Sequence, residues 1–125
     1  MPKNNTILVT VDTVRNIVRL SFVGDIGVEE SRSHEKAISD AIAAARPGFF
    51  LLTDLSELTS MDVDCMSSII RTMEAARSRG IARVVRVIPD ISKDIGFNIM
   101  SLFHYPHGVQ IITCENQTAA EGALK

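Results

Sequence analysis

The chain has 125 residues, 46% hydrophobic and 22% charged, which predicts one globular domain spanning residues 1–125 and leaves no room for a second. Thirteen basic and fifteen acidic residues give a formal net charge of −2, which excludes a general attraction to nucleic acid or anionic lipid. With two cysteines, no apolar leader and no apolar run of the roughly 20 residues that span a bilayer, we expect a cytoplasmic protein with free thiols and no membrane insertion.

The first part of the chain is predicted to form a β-hairpin followed by a helix. Segments 6–11 and 17–23 are rich in β-branched residues, and their short polar link makes them antiparallel neighbours. From Glu29 onward apolar residues repeat at helical spacing until Pro47 and Gly48 end the pattern. Such a pattern is typical of an amphipathic helix packed on a sheet.

Strands and helices then alternate to the end of the chain. The remaining predicted elements are a strand at 49–53, a helix from about 63 to 79, a strand at 81–88, a helix at 92–103, a strand at 109–113 and a helix at 116–124. The last helix is capped either by Asn116 or by a box of Thr118 and Glu121. The order β-β-α-β-α-β-α-β-α predicts an α/β fold, an open mixed β-sheet with helices packed on it and right-handed crossovers.

The junction between the third strand and the second helix is the first place to seek function. The apolar run ends at Asp54, a polar loop follows, and either Asp62 or Asp64 serves as the N-cap of a new helical pattern. In an open α/β sheet this junction lies at the carboxyl edge of the strands, where ligands and partners tend to bind.

The residues at this junction resemble the STAS domain family, named from sulfate transporters and anti-sigma factor antagonists. The specific likeness is Asp54-Leu55-Ser56, then Leu58, then Asp62 opening a helix, and the order of elements agrees along nearly the whole chain. The resemblance implies a STAS-like fold and a regulatory role without enzymatic activity.

The loop departs from the family pattern at the position that carries regulation. In bacterial anti-sigma factor antagonists the loop has Asp, then Ser or Thr, Ser and Gly, and the Ser before Gly is phosphorylated by a partner kinase that is also the anti-sigma factor. Here those positions are Asp62, Val63, Asp64 and Cys65. The resemblance therefore does not extend phosphorylation to Asp64, and we expect Cys65 to be a semi-buried thiol whose acidic neighbours oppose ionisation.

These observations predict a domain that binds another protein, an anti-sigma factor or switch kinase, through the loop and the first turns of the second helix. The side chains expected to make contact are Met61, Asp62, Val63, Asp64, Ser67 and Arg71. Exposed Met61 and Val63 would supply apolar contact, and the carboxylates would fix the register against a basic or backbone-donor surface. We expect no cofactor.

Other readings of the chemistry-bearing residues are weaker. Phospho-acceptor receiver domains need an acidic pair after the first strand and a lysine after the last, whereas this chain has a lone Asp12 and Cys114-Glu115 at those places. His104 and His107 lack the helical spacing of metal ligands. We therefore predict no catalytic residue and no metal site.

An arginine-rich stretch supports an alternative function of another class. Arg71, Arg77 and Arg79 fall on the second helix, and Arg83 and Arg86 on the strand after it. Because residues two apart do not share a helix face, a solvated, salt-bridged surface is the simpler interpretation. The alternative is a STAS-like sensor of a small anionic or lipid ligand, with Arg83 and Arg86 as the anion-binding residues.

Overall fold

The described part of the chain, residues 5–88 and 109–124 of the computed structural model, forms a mixed sheet with helices on both faces. The strands are β1 (Thr6–Asp12), β2 (Ile17–Ile26), β3 (Phe50–Asp54), β4 (Leu58–Met61), β5 (Arg83–Val87) and β6 (Gln110–Cys114). The helices are α1 (Val28–Ala44), α2 (Met66–Arg79) and α3 (Gln117–Ala123), and a 3-10 turn at Val63–Cys65 directly precedes α2. The predicted α/β class with an open mixed sheet is confirmed; the helix predicted at 92–103 lies outside the described residues.

The sheet has the order β1-β2-β3-β5-β6, with β1 antiparallel to β2 and the other pairs parallel. The long strand β2 has two partners on one side. Its first half pairs with β3, and its last residues, from Gly24 to Ile26, pair with β4. The loop that follows β4 is thereby fixed to the carboxyl end of β2.

The hairpin turn at the opposite end of the sheet is formed by two polar side chains. The Asp12 carboxylate accepts from the amides of Val14 at 3.1 Å and Arg15 at 3.0 Å. Asn16 takes a left-handed conformation with φ of 59°, which Asn tolerates better than most residues. Its side chain also bonds both backbone groups of Arg46, at 2.9 and 3.0 Å, which ties the turn to the end of α1.

The core is divided by the sheet into two layers. Helices α1 and α2 cover one face, where α2 buries Ile69, Met73 and Ala76 at the helical spacing that the sequence predicted. α2 ends at Gly80, whose φ of 93° requires a residue without a side chain. Helix α3 covers the other face through Ala120 and the residues that pack around it.

The structure corrects the sequence prediction at one strand and decides between two predicted caps at the last helix. Strand β4 was expected to be part of a polar loop, but its Leu58 is buried at 1% exposure and pairs with Gly24 of β2. The sequence did not predict this strand because it has only four residues, and its two middle side chains are both exposed, so buried and exposed residues do not alternate. Its partner strand β2 is also distant in sequence. At α3 the cap is Asn116, which accepts from the amide of Ala119 at 2.9 Å.

Candidate functional site

The loop between β4 and α2 is held at the carboxyl edge of the sheet by backbone and carboxylate hydrogen bonds. The amide of Asp62 donates to the Ile26 carbonyl at 2.9 Å, which continues the pairing of β2 with β4. The Asp62 carboxylate accepts from the amide of Asp64 at 2.9 Å and so caps the 3-10 turn. The amide of Cys65 in turn donates to the Asp62 carbonyl at 2.9 Å. Of the two aspartates, Asp62 is the N-cap, and the other is left to solvent.

Most of the predicted contact residues lie at the surface of this loop. Asp62, Val63, Asp64 and Ser67 are exposed. Val63 is 74% exposed, one of three large hydrophobic side chains with high exposure in the described residues. Met61 is less exposed than predicted: it is partly buried and packs against the main core because it ends a strand that pairs with β2. Val63 is therefore the most exposed apolar side chain of this loop.

Arg71 lies in the second turn of α2 and is engaged within the domain. Its guanidinium forms an ion pair with Glu35 of α1 and donates to the Ser68 hydroxyl at 3.2 Å. The hydrogen bond from Ser68 and the adjacent Arg71 charge lower the pKa of Glu35. Arg71 consequently joins α1 to α2, and a partner would meet a guanidinium that is already paired with a carboxylate.

Several polar residues that the sequence analysis did not single out surround the loop. The Ser60 hydroxyl donates to the Asp25 carboxylate at 2.7 Å, joining β4 to β2. Asp25, Glu30 and Asp62 line an open surface depression of about 440 Å³ beside Met61. Asp25 and Glu30 are close because α1 begins directly after β2, and the pairing of β4 with β2, which the sequence did not predict, brings Asp62 beside them.

Asp54 connects the same edge to the opposite face of the sheet. One carboxylate oxygen accepts from the amide of Ser56 at 2.9 Å, and the other accepts from the Gln117 side chain at 2.5 Å. The aspartate that ends β3 thus shapes the β3–β4 turn and fixes the first turn of α3. Its position was predicted; its bond to Gln117 had no signal in the sequence.

Cys65 is a structural thiol. Its side chain is 1% exposed, and its sulfur lies 3.7 Å from the Ile26 carbonyl oxygen. Burial, and next the negative charge of Asp62, raise the pKa of this thiol. The residue is more completely buried than predicted, because it ends the 3-10 turn with its side chain packed in the main core.

The two arginines proposed for anion binding lie on opposite faces of the sheet, three positions apart on one strand. Arg83 lies 4.5 Å from the centroid of the Phe50 ring and donates to the Gln110 side chain and the Ala123 carbonyl, both at 2.7 Å. Arg86 is 4% exposed on the face of α1 and α2 and donates to Thr113 at 2.7 Å. The structure does not bring the two guanidiniums together.

Two other site predictions concern metals and membranes. In residues 5–88 and 109–124, no three His, Cys, Asp or Glu side chains are grouped as metal ligands. His104 and His107 lie outside that part of the chain. No helix among the described elements has both the length and the hydropathy needed to cross a membrane.

Comparison with known proteins gives matches of structure only. No protein-family model matches this sequence, and no curated protein does. A Shewanella loihica protein with a SpoIIAA-like fold superimposes with a TM-score of 0.73 at 15% identity, over 96% of this chain and 94% of that one. Bacillus SpoIIAA in its phosphorylated form gives 0.68 at 15%, over 96% and 100%. An anti-sigma factor antagonist from Mycobacterium paratuberculosis gives 0.64 at 19%, over 99% and 98%.

The chain has a STAS-like fold. This confirms the resemblance drawn from the Asp54-Leu55-Ser56 segment and the order of the elements. The matches extend over nearly the full length of each chain, so the likeness includes the hairpin, the parallel strands and the C-terminal helix. Identities of 15% to 19% establish architecture and leave the role of the loop to be argued from its own residues.

Proposed function

We propose that this STAS-like domain is a non-enzymatic regulatory module that binds a protein partner through the β4–α2 loop and the first turns of α2. The observation that carries the proposal is Val63, a 74% exposed hydrophobic side chain between two exposed carboxylates on a loop fixed by a helix cap. An isolated apolar side chain can be incidental on a protein surface. Val63, however, lies at the carboxyl edge of the sheet on a backbone fixed by hydrogen bonds. This location favours a role in contact with a partner.

The loop is prepared for binding because its backbone is already ordered. The Asp62 cap, the bond from the Asp62 amide to Ile26 and the pairing of β4 with β2 hold Val63 on a short 3-10 turn. Binding through such a loop loses less conformational entropy than ordering a flexible one. Val63 would enter an apolar pocket on the partner, and Asp64 would face basic or backbone-donor groups at its rim.

The partner that the fold suggests is an anti-sigma factor or a switch kinase. Solved structures with this architecture include proteins named as anti-sigma factor antagonists, which supports an anti-sigma factor as the partner. The family resemblance assigns Asp64 to the position of the phosphorylatable serine, so on this proposal a carboxylate occupies that position with or without a kinase. A carboxylate carries one negative charge where phosphoserine carries about 1.5 to 2. We propose that the domain is held in one binding state instead of being switched there.

A footprint on the domain tests the proposal. The protein, labelled with ¹⁵N, is titrated with each anti-sigma factor kinase encoded by its source organism, and amide shifts are mapped by NMR. We expect one kinase to bind saturably and to perturb amides at 61–71 while leaving the β1–β2 turn around Val14 unchanged. A saturable complex whose footprint omits 61–71 would place the interface elsewhere, and no saturable complex with any of the kinases would contradict the partner class.

A further inference from the structure

A cavity of about 50 Å³ lies between the sheet and helices α1 and α2, on the inner side of the α2 turns whose outer side belongs to the proposed interaction surface. Most of its lining is apolar: Leu20, Phe22 and Leu51 face it from the sheet, and Ile69 and Met73 from α2. The buried guanidinium of Arg86 also lines it, on the side of β5. Protein interiors are close-packed, and a void costs stability because the lining side chains lose contacts. An unfilled cavity at the centre of the larger core layer therefore lowers the stability of the fold.

The cavity adjoins an open cleft at a polar rim, formed by residues that line both spaces. Glu35 and Ser68 line both the inner cavity and an adjoining cleft of about 150 Å³ between α1 and α2. Arg71 forms one wall of that cleft and bridges the helices through its ion pair with Glu35. A molecule lying across both spaces would have its apolar end among core side chains and its polar end beside the Ser68 hydroxyl.

The dimensions restrict what can occupy the site. A cavity needs roughly 10 to 15 Å³ of such volume for each water, and an engineered cavity of about 150 Å³ in another protein accommodates benzene. The inner cavity, at about 50 Å³, is too small for a ring and wide enough for a slender chain. The outer cleft has the volume for a head group.

The charges at the rim restrict the head group. Arg86 lines the inner cavity and not the outer cleft, where the head group would lie. In that cleft Arg71 is already paired with Glu35, so a carboxylate or phosphate head would meet the Glu35 carboxylate as well as the guanidinium. An uncharged hydroxyl, amide or ester can exchange hydrogen bonds with Ser68 without breaking that ion pair. We propose that the cavity binds a small uncharged amphiphile, a short linear aliphatic chain with one hydrogen-bonding head group, which enters between α1 and α2.

The site can be tested with 1-hexanol as the probe and methyl NMR as the readout. We expect saturable shifts of the Leu51, Ile69 and Met73 methyl groups, with a Kd in the millimolar range. Hexanoate has the same chain with an anionic head, and we expect it to bind at least about tenfold more weakly, since this factor corresponds to about 1.4 kcal/mol of repulsion at the rim. Hexanoate binding as tightly as hexanol would overturn the assignment of the head group.

Two filling variants and one control decide whether the cavity is the site. Ser68→Leu and Thr72→Leu both place methyl groups into the cavity and cleft, and Thr72→Leu leaves the Glu35–Arg71 bridge intact. Ser78→Leu makes the same kind of change at an exposed position on the same helix. We expect each folded filling variant to bind hexanol at least about tenfold more weakly, and Ser78→Leu to bind within twofold of the unaltered protein. Shifts that grow linearly without saturation, or equal binding by Thr72→Leu and Ser78→Leu, would overturn the proposal.

Discussion

The two aspartates of the β4–α2 loop have the same charge and different structural roles, and paired alanine substitutions will separate them. The Asp62 carboxylate accepts from the Asp64 amide, whereas the Asp64 side chain is exposed and forms no side-chain cap. Loss of an Asp N-cap costs about 1 kcal/mol. For a chain of this length that corresponds to a fall of roughly 3 to 5 °C in Tm. Asp64→Ala removes only a favourable charge near a helix N-terminus, worth about 0.3 to 1 kcal/mol at an exposed site before screening by salt.

Thermal unfolding followed by circular dichroism at 0.15 M salt measures both costs. At that ionic strength the charge effect of Asp64 is screened, while a hydrogen bond from the loop backbone is less affected. We expect Asp62→Ala to lower Tm by roughly 3 to 5 °C and Asp64→Ala by no more than about 1 to 2 °C. Asp62→Asn retains a capping oxygen and should recover most of the loss. Equal losses for the two alanine variants would refute the assignment of the cap.

Three further results follow from the site and its surroundings. Asp64→Lys should leave the domain folded and weaken partner binding by about 2 kcal/mol, roughly thirtyfold. The control Asp40→Lys, on the exposed side of α1, should change the affinity less than threefold. Equal losses of affinity would show an effect of net charge. After incubation with the partner kinase and ATP, intact-mass and peptide analysis should show no phosphate on residues 60–68, and a phosphoserine there would move the switch to a neighbouring hydroxyl. The pKa of Glu35 is lowered by the Ser68 hydroxyl and by Arg71, so the ionised carboxylate stabilises the fold above its unfolded-state pKa, and this stabilisation is lost as pH falls through the folded-state pKa. Between about pH 5 and pH 3, the free energy of urea unfolding should therefore depend less on pH for Glu35→Gln than for the unaltered protein. Parallel pH dependences of the two proteins would contradict this.

The choice of charge control shows how the structure changes an experiment that sequence alone would suggest. Glu121 on the C-terminal helix looks like a remote acidic residue in the sequence. In the structure its carboxylate pairs with Arg19 at 2.7 Å and with Arg15 at 3.6 Å. Both arginines belong to the hairpin, so reversal of this charge would disturb the contact between α3 and β2. Asp40 pairs only with its helix neighbour Lys36 among the recorded ion pairs of the described residues, at an exposed site, and is the cleaner control.

The sequence predicted the features that depend on local pattern. The periodic burial of α2, its end at Gly80 and the capping role of Asn116 all arise within a few residues and were found where expected. The hairpin was predictable because Asp12 and Asn16 form their turn from neighbouring groups. The periodicity of strands and helices and the residue types of turns can all be identified from residues that are close together in sequence.

The features that sequence reading missed depend on distant partners. Strand β4 exists because β2 extends beyond β3 and leaves Gly24 to pair with Leu58. That pairing buries one end of the strand and turns Met61 inward. The ion pair between Glu35 and Arg71 likewise joins two helices, and the spacing of residues along the chain does not predict it. The position of the candidate site was predicted because the loop follows a buried strand. The arrangement of its surface side chains could not be predicted because it depends on tertiary contacts.

The central claim is that Val63 is the apolar contact of a protein interface, and one ratio of dissociation constants tests it. Val63→Arg is compared with Val14→Arg, an equal change at an 89% exposed valine in the β1–β2 turn at the opposite end of the sheet. Titration calorimetry against the kinase identified by the NMR footprint gives both values. We expect Val63→Arg to weaken binding at least thirtyfold, which corresponds to about 2 kcal/mol, and Val14→Arg to leave it within twofold. Equal affinity for the two variants, with both folded, would contradict the account.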